Sequence, residues 1–174
     1  EVDEIQHNKN LLINLPNVTF QLAGAEDIPI HNDTFDVVFM FKSLHHIPVK
    51  LMPKALTEIH RVLKPNGIAY ISEPIFAGDF NEILRLFNDE EIIRREALLA
   101  INNAINKGIF TSVTETYFNS PLVFENFADF ENRMLKVTHT KHELSDSIYQ
   151  QVQNLFAKSN KFMVPVRVNL LQAV

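Results

Sequence analysis

The sequence contains no cysteine and very little glycine. Only 4 of its 174 residues are glycine, and none of them lies in a Gly-x-Gly pattern. The chain therefore has no counterpart of the glycine-rich turn that places backbone N–H groups next to a bound cofactor. The lack of cysteine excludes disulfide bonds and thiolate metal sites. With 46% hydrophobic residues, a chain of this length can still bury the core of one domain.

Excess positive charge and long apolar runs are also lacking. The net charge is −5 and the pI is about 5.8, which argues against broad binding to nucleic acid. No stretch reaches the roughly 18 apolar residues that a transmembrane helix requires. We therefore expect a cytoplasmic protein without a membrane span or a nucleic-acid partner.

The middle of the chain reads as a strand, a helix and a second strand. Phe35–Phe41 is almost entirely apolar, which is typical of a parallel strand buried on both faces. Apolar residues recur at helical spacing over residues 49–63, and the Pro-Asn-Gly at 65–67 ends this helix. Residues 68–72 form the next apolar run. The pattern predicts a right-handed βαβ unit.

The rest of the chain gives weaker signals. Periodicity predicts short strands at 18–22, 134–140 and 163–173, and helices at 4–15, 80–107, 124–130 and 145–158. Residues 111–118 are compatible with either state. The final strand–helix–strand unit suits the end of an α/β sheet.

Three segments of the βαβ unit carry a family resemblance. They read FDVV at 35–38, LHHI at 44–47 and EIHRVLKPNG at 58–67, and AGAEDIP precedes them at 23–29. In this order they resemble the class I S-adenosylmethionine-dependent methyltransferases, particularly the ubiquinone and menaquinone biosynthesis branch. The resemblance covers roughly residues 18–74. It implies an α/β, Rossmann-like sheet with helices on both faces and an antiparallel last strand, within one domain over residues 1–174.

The same resemblance implies that part of the sheet is missing. The family's strand order is 3-2-1-4-5-7-6, and its first strands and glycine-rich turn have no match in this sequence. We expect roughly 40–70 further residues upstream, the length of a strand–helix–strand unit with a leader. A homodimer or a strand-swapped dimer is the alternative way to fill the gap. Without such a filling, Phe35–Phe41 becomes an edge strand, and the chain alone binds its cofactor weakly.

The cofactor implied by the resemblance is S-adenosyl-L-methionine. Glu1 matches the acid that accepts hydrogen bonds from the ribose, and Asp3 is close enough to take that role. Gly24 stands where many relatives have an aspartate that binds the adenine amino group. This contact is therefore either weakened or left to Glu26, while Ala25 offers a backbone N–H to the ring.

The loops after the two central strands hold the remaining candidates. Relatives use the position of Phe41 for a main-chain contact near the methionine part, and Lys42 either attracts the carboxylate or points to solvent. His46, rather than His45, is the candidate base or orienting group, and Glu73 is the second catalytic candidate. The alternatives are two histidines without a chemical role and a plain strand-end charge.

Substrate choice is expected to lie in residues 76–130, which the resemblance interprets as an inserted helical lid. The implied reaction is in-line transfer of a methyl group to a small, hydrophobic or aromatic acceptor. The alternative is a non-catalytic, methyltransferase-like module that acts by association. Five aromatic residues of the insert are candidates either for a pocket wall or for lid core: Phe110, Tyr117, Phe118, Phe124 and Phe127.

Two other residue pairs are interpreted as having no catalytic or metal-binding role. Glu58 and Arg61 lie three residues apart on the predicted helix and form a surface pair that contributes about 0.5 kcal/mol. His139 and His142 have a His-x-x-His spacing without a clearly placed carboxylate. No metal site is predicted.

Overall fold

A computed structural model describes residues 17–136 and 144–174. Four strands form one mixed sheet in the order β1-β2-β4-β3. Strands β1 and β2 are parallel, and β4 runs antiparallel to both β2 and β3. This arrangement confirms the α/β class and the antiparallel last strand. The bounds are Phe35–Phe41 for β1, Leu63–Pro74 for β2, Phe110–Val123 for β3 and Lys161–Ala173 for β4.

Helices fill the connections between these strands. They are α1 (Met52–Val62), α2 (Asp79–Leu84), α3 (Glu91–Asn106), α4 (Phe127–Phe130) and α5 (Asp146–Phe156). Two 3-10 turns, Leu44–His46 and Val49–Leu51, precede α1, and a π-helical turn spans Glu131–Leu135. Over residues 17–136 and 144–174, no helix combines the length and the hydrophobicity needed for a membrane span.

The predicted βαβ unit is present. Helix α1 starts with a proline in its first turn, and its buried residues recur every three or four positions, so that one stripe packs on the sheet. Strand β2 follows α1 directly at Leu63, so residues 65–67, which were predicted to end the helix, lie within β2 at an irregularity of its pairing with β1. Asn66 has a φ of 64°, and a Cβ on Gly67 would lie 2.9 Å from the Lys64 carbonyl oxygen, so that only glycine fits there.

Two apolar cores lie on the two faces of the sheet. The first joins α1 and α3 to β1, β2 and β4, and includes Leu171 and Ala173. The second joins α2, α4 and α5 to Phe162 and Val164 of β4. Because side chains alternate along a strand, these two pairs of β4 residues point to opposite faces. The expectation of helices on both faces is therefore confirmed.

The first two predicted strands differ from expectation. Strand β1 has its predicted bounds, but it lies at an edge of the described sheet, and the exposed fractions of Phe39 and Phe41 are 59% and 63%. The prediction of burial on both faces was wrong, because only the face of Met40 packs against helices. Residues 18–22 form no strand, since no described strand lies beside them to accept their hydrogen bonds.

The second half of the chain needs two corrections. The strand that pairs with β4 is β3, Phe110–Val123, and not the predicted 134–140, which begins in the π-helical turn and extends beyond the described residues. The insert at 76–130 is therefore only partly helical, and its helix at 80–107 is split into α2 and α3. The predicted helix at 4–15 lies outside the described residues.

The Glu58 and Arg61 pair is more than a surface ion pair. The Arg61 guanidinium donates to both Glu58 oxygens, at 2.8 and 2.7 Å, and to the carbonyl oxygens of Ile30 and Ile28, each at 2.8 Å. Glu58 also accepts from the Ile28 N–H at 3.1 Å. The pair therefore clamps the loop before β1 onto α1. Hydrogen bonds from Arg61, and then from the Ile28 N–H, lower the pKa of Glu58 to about 2.

This clamp predicts a pH-dependent difference between wild type and Glu58→Gln. In the window from the ordinary value of 4.5 down to about 2, the unfolded state binds the Glu58 proton and the folded state does not. The stabilisation is therefore complete above about pH 4.5 and lost as the pH falls to about 2. Urea midpoints measured between pH 7 and pH 2.5 should converge for the two proteins. Glu82→Gln, on an exposed face of α2, is the control, and a difference from wild type that stays constant with pH would refute the clamp.

Candidate functional site

A cavity of about 270 Å³ lies where β1, β2 and β3 end and β4 begins. In open α/β sheets this carboxyl edge is where ligands bind. One wall is apolar and comes from α2 and the loop after it, and the other is polar and comes from the loop after β1 and the start of α3. We call it the edge cavity, and its lining residues are Lys42, His45, His46, Pro74, Phe80, Leu84, Phe87, Asn88, Glu90, Arg94, Leu122, Arg133, Met134 and Val164.

Glu73 holds the loop that forms the polar wall. Its carboxylate accepts from the backbone N–H groups of Ser43 and Leu44, at 3.1 and 2.9 Å, and pairs with Nδ1 of His45. Glu73 is 2% exposed and His45 is 3% exposed. Lys42, at the start of this loop, has a φ of 51°, a conformation that non-glycine residues adopt at a cost. The loop is thus held in one geometry from beneath.

The hydrogen bond to Glu73 fixes the tautomer of the neutral His45 ring. A carboxylate only accepts, so that Nδ1 of His45 carries the hydrogen, and in a neutral ring Nε2 keeps its lone pair. Nε2 lies 3.9 Å from Oε2 of Glu90. The same Glu90 oxygen accepts from Arg94 at 2.6 Å, and the other accepts from Asn88 at 2.8 Å. Two carboxylates therefore bracket one imidazole at the back of the edge cavity.

A network of hydrogen-bonded polar side chains extends from β4 to β3 in the same sheet. Arg167 lies opposite Glu73 in the β2–β4 register and donates to Asn169 at 2.9 Å, which donates to Glu115 of β3 at 2.7 Å. Burial lowers the pKa of the Arg167 guanidinium, while the negative charges of Glu115 and Glu73 raise it. A hydrogen bond from Tyr117 lowers the pKa of Glu115. The sequence analysis missed this hydrogen-bond network. The only signal for it in the sequence is the alternation of polar and apolar residues in VRVN at 166–169.

Some of the predicted site residues after β1 and β2 line the edge cavity, and others do not. Lys42, His45 and His46 line the edge cavity, with His46 exposed and its ring centroid 4.1 Å from that of His45. Phe41 is exposed and stacks on Phe39 at 5.4 Å. Glu73 lies beneath the loop and does not line the cavity.

The segment assigned to adenine forms a tight turn. The Asp27 N–H donates to the Gly24 carbonyl at 3.1 Å, and Ala25 packs against the first core. A Cβ added to Gly24 would lie 2.6 Å from Oε2 of Glu26. The Glu26 carboxylate therefore already occupies the space that a side chain at position 24 would take. Glu1, Asp3, His139 and His142 lie outside the described residues.

The five aromatic candidates do not line the edge cavity. Phe110 is buried in the first core, Phe124 and Phe127 belong to the second, and Tyr117 and Phe118 are exposed on β3. The apolar wall instead comes from three residues within the range of the helix predicted at 80–107: Phe80, Leu84 and Phe87.

The comparisons with known proteins agree with this layout. Residues 2–71 match the family model described as "Methyltransferase domain". The demethylmenaquinone methyltransferase of Chlorobaculum parvum is 28% identical over 118 residues, which cover 67% of this chain and 44% of that protein. The YcgJ protein of Bacillus subtilis has a TM-score of 0.63 at 16% identity, over 98% of this chain and 78% of that one. Residues 2–71 are therefore similar to a methyltransferase domain, and the chain shares the fold of its solved neighbour.

Similarity to this family does not by itself define the reaction. Arginine-hydroxylase NDUFAF5 of Mus musculus is 37% identical to this chain over 81 residues, which cover 45% of the chain and 22% of that protein. The aligned segments span 35%, 26% and 44% of the first three curated relatives. The chain thus spans less than half of these relatives, and its reaction must be argued from the site.

Proposed function

We propose that the protein transfers the methyl group of S-adenosylmethionine to a small acceptor held in the edge cavity. The observation that carries the proposal is the position of this cavity, at the carboxyl edge of a class I methyltransferase sheet, with an apolar wall facing His46 and Lys42. The cofactor supplies a methyl group that its sulfonium already activates. The protein therefore has to hold the acceptor in line and exclude water.

We infer that residues 24–26 hold the adenine end of this cofactor. The Glu26 carboxylate stands in the space over Gly24, so that it supplies the acceptor group that relatives place at position 24. The Ala25 backbone N–H would hold the ring, and the main chain of Phe41 and the Lys42 ammonium would hold the methionine part. Glu1 and Asp3 remain the proposed ribose acids.

The acceptor is proposed to be a hydrophobic or aromatic small molecule. The apolar wall would contact its ring, while His46 on the opposite wall would orient a hydroxyl or remove its proton. Demethylmenaquinone methyltransferases among the relatives support a quinol-like ring, so a soluble naphthoquinol is a suitable probe. Glu73 does not reach the cavity wall. Its role here is to position the loop that presents both histidines.

A non-catalytic, methyltransferase-like binding module is the second candidate. Gly24 and the lack of a Gly-x-Gly pattern favour it, because both remove contacts that relatives use for the cofactor. The two candidates differ in whether the intact protein binds the cofactor or its product.

The test exchanges the carboxylate between positions 26 and 24. Glu26→Ala should weaken binding of S-adenosylhomocysteine to the intact protein roughly 10- to 100-fold, the cost of losing a hydrogen bond to a charged group. Adding Gly24→Asp to this variant should restore most of the affinity, since the space over position 24 is then free. Calorimetry gives the dissociation constants, and Asp27→Ala is the control. Unchanged affinity in Glu26→Ala would contradict the assignment.

A further inference from the structure

We propose that His45, His46 and Glu90 form a binding site for a divalent transition-metal ion such as Zn²⁺. One ligand atom from each residue lies within 4.8 Å of the other two. The histidines come from the 3-10 turn after β1, and Glu90 precedes α3, so the fold brings them together across the edge cavity. Two imidazoles and one carboxylate are a ligand set that Zn²⁺ and its first-row neighbours favour.

The surroundings of His45 support a ligand role. Its Nδ1–H is held by the buried carboxylate of Glu73, which turns the Nε2 lone pair toward the Glu90 carboxylate at 3.9 Å. In the neutral ring, two hydrogen-bond acceptors thus face each other with no hydrogen between them. A cation in this gap would bind the Nε2 lone pair and be attracted by the Glu90 carboxylate. Metal-binding histidines typically donate their second ring N–H to a carboxylate in this way.

Glu90 is also held as metal-binding carboxylates usually are. Asn88 donates to Oε1 at 2.8 Å, and Arg94 donates to Oε2 at 2.6 and 3.0 Å. Oε1 accepts a single hydrogen bond and therefore keeps a second lone pair for a metal, whereas Oε2 already accepts two. The carboxylates of Glu73 and Glu90 lie next to the ring of His45, and each would attract a cation bound at its Nε2.

The distances require only a small closure. Zinc binds nitrogen and oxygen at about 2.0–2.2 Å, which places neighbouring tetrahedral ligands about 3.4 Å apart. His45 and Glu90 are slightly farther apart than that, and His46 is the exposed ligand on the cavity side. Three protein ligands leave a fourth position open toward the edge cavity, for a water molecule or an oxygen of a bound small molecule. In the metal-loaded protein His46 is a ligand and not a base.

The experiment is a Co²⁺ titration of the purified protein, followed by its visible d–d absorption, with Zn²⁺ displacement measured by calorimetry. It needs neither the cofactor nor methyl transfer, so its outcome is independent of the proposed reaction. We expect one equivalent of Co²⁺ with a tetrahedral spectrum. His45→Gln and Glu90→Gln should each lower the affinity at least 10-fold. Glu73→Gln should lower it about 10- to 100-fold although it removes no ligand.

Two control proteins locate the metal. His60→Gln, on α1, and the double variant His139→Gln/His142→Gln should both bind Co²⁺ as wild type does. Circular dichroism of each variant establishes that it is folded, and Glu90→Gln remains decisive if His45→Gln is not. The proposal is overturned if millimolar Co²⁺ gives no spectrum or if the double variant loses the spectrum. It is equally overturned if binding survives in both His45→Gln and Glu90→Gln.

Discussion

Replacing Glu73 by alanine is expected to lower the free energy of unfolding by about 3–5 kcal/mol. The substitution leaves the backbone N–H groups of Ser43 and Leu44 and the Nδ1–H of His45 without an acceptor. His45 and Leu44 are buried, so that water cannot replace the carboxylate at low cost. Urea unfolding followed by circular dichroism measures the effect.

Two matched variants separate this role from a general effect of charge. Glu73→Gln keeps one oxygen for the backbone N–H groups but opposes its NH₂ to Nδ1–H, so a loss of about 1–2 kcal/mol is expected. Asp36→Ala removes an exposed carboxylate that pairs with Lys64 at 2.8 Å, and should cost less than about 1 kcal/mol. If Glu73→Ala costs no more than Asp36→Ala, Glu73 does not hold the loop.

His46→Gln is expected to lower kcat/KM for methyl transfer to the naphthoquinol about 10²- to 10⁴-fold. Glutamine retains a hydrogen-bonding group of similar reach but cannot take up the proton of an acceptor hydroxyl. The exposed ring of His46 lines the edge cavity, so that its loss changes the wall that faces the acceptor and leaves the core intact. Conversion of S-adenosylmethionine to S-adenosylhomocysteine, followed by chromatography, gives the rate.

The matched control is His31→Gln. His31 lies in the loop before β1, where Thr34 bonds to the end of α1, at the sheet edge opposite the cavity. This variant should react at the wild-type rate. Equal rates for His46→Gln and wild type, across the pH range, would remove His46 from the reaction.

The sequence predicts some parts of the fold well for a physical reason. In α1 the buried positions follow the helical period, and in β2 they alternate over residues 67–71 before residues 72–74 are all buried. Strand β3 escapes such reasoning. It is an edge strand with Phe110 as its one fully buried residue, so no apolar alternation marks it. Residues 18–22 show the reverse case, in which a strand-like pattern has no neighbouring strand among the described residues.

The sequence predicts only those site residues that come directly after a recognisable strand. Lys42 and His46 could be found because they come directly after an apolar strand, at the edge where ligands bind. Glu73 could be found for the same reason, but its partners lie 28–30 residues away, and only the fold shows that it accepts their hydrogen bonds. Glu90 and Arg94 belong to a helix start that gives no chemical signal in the sequence. Whether these two residues lie close to His45 depends on how α3 packs against the loop after β1.

Binding of S-adenosylhomocysteine to the intact protein is the most direct test of the central claim, that this chain is the cofactor-binding and acceptor-binding part of a methyltransferase. Isothermal titration calorimetry at neutral pH should show saturable binding at micromolar ligand, with one molecule bound per site. No detectable binding at millimolar ligand would contradict the claim and favour the non-catalytic module.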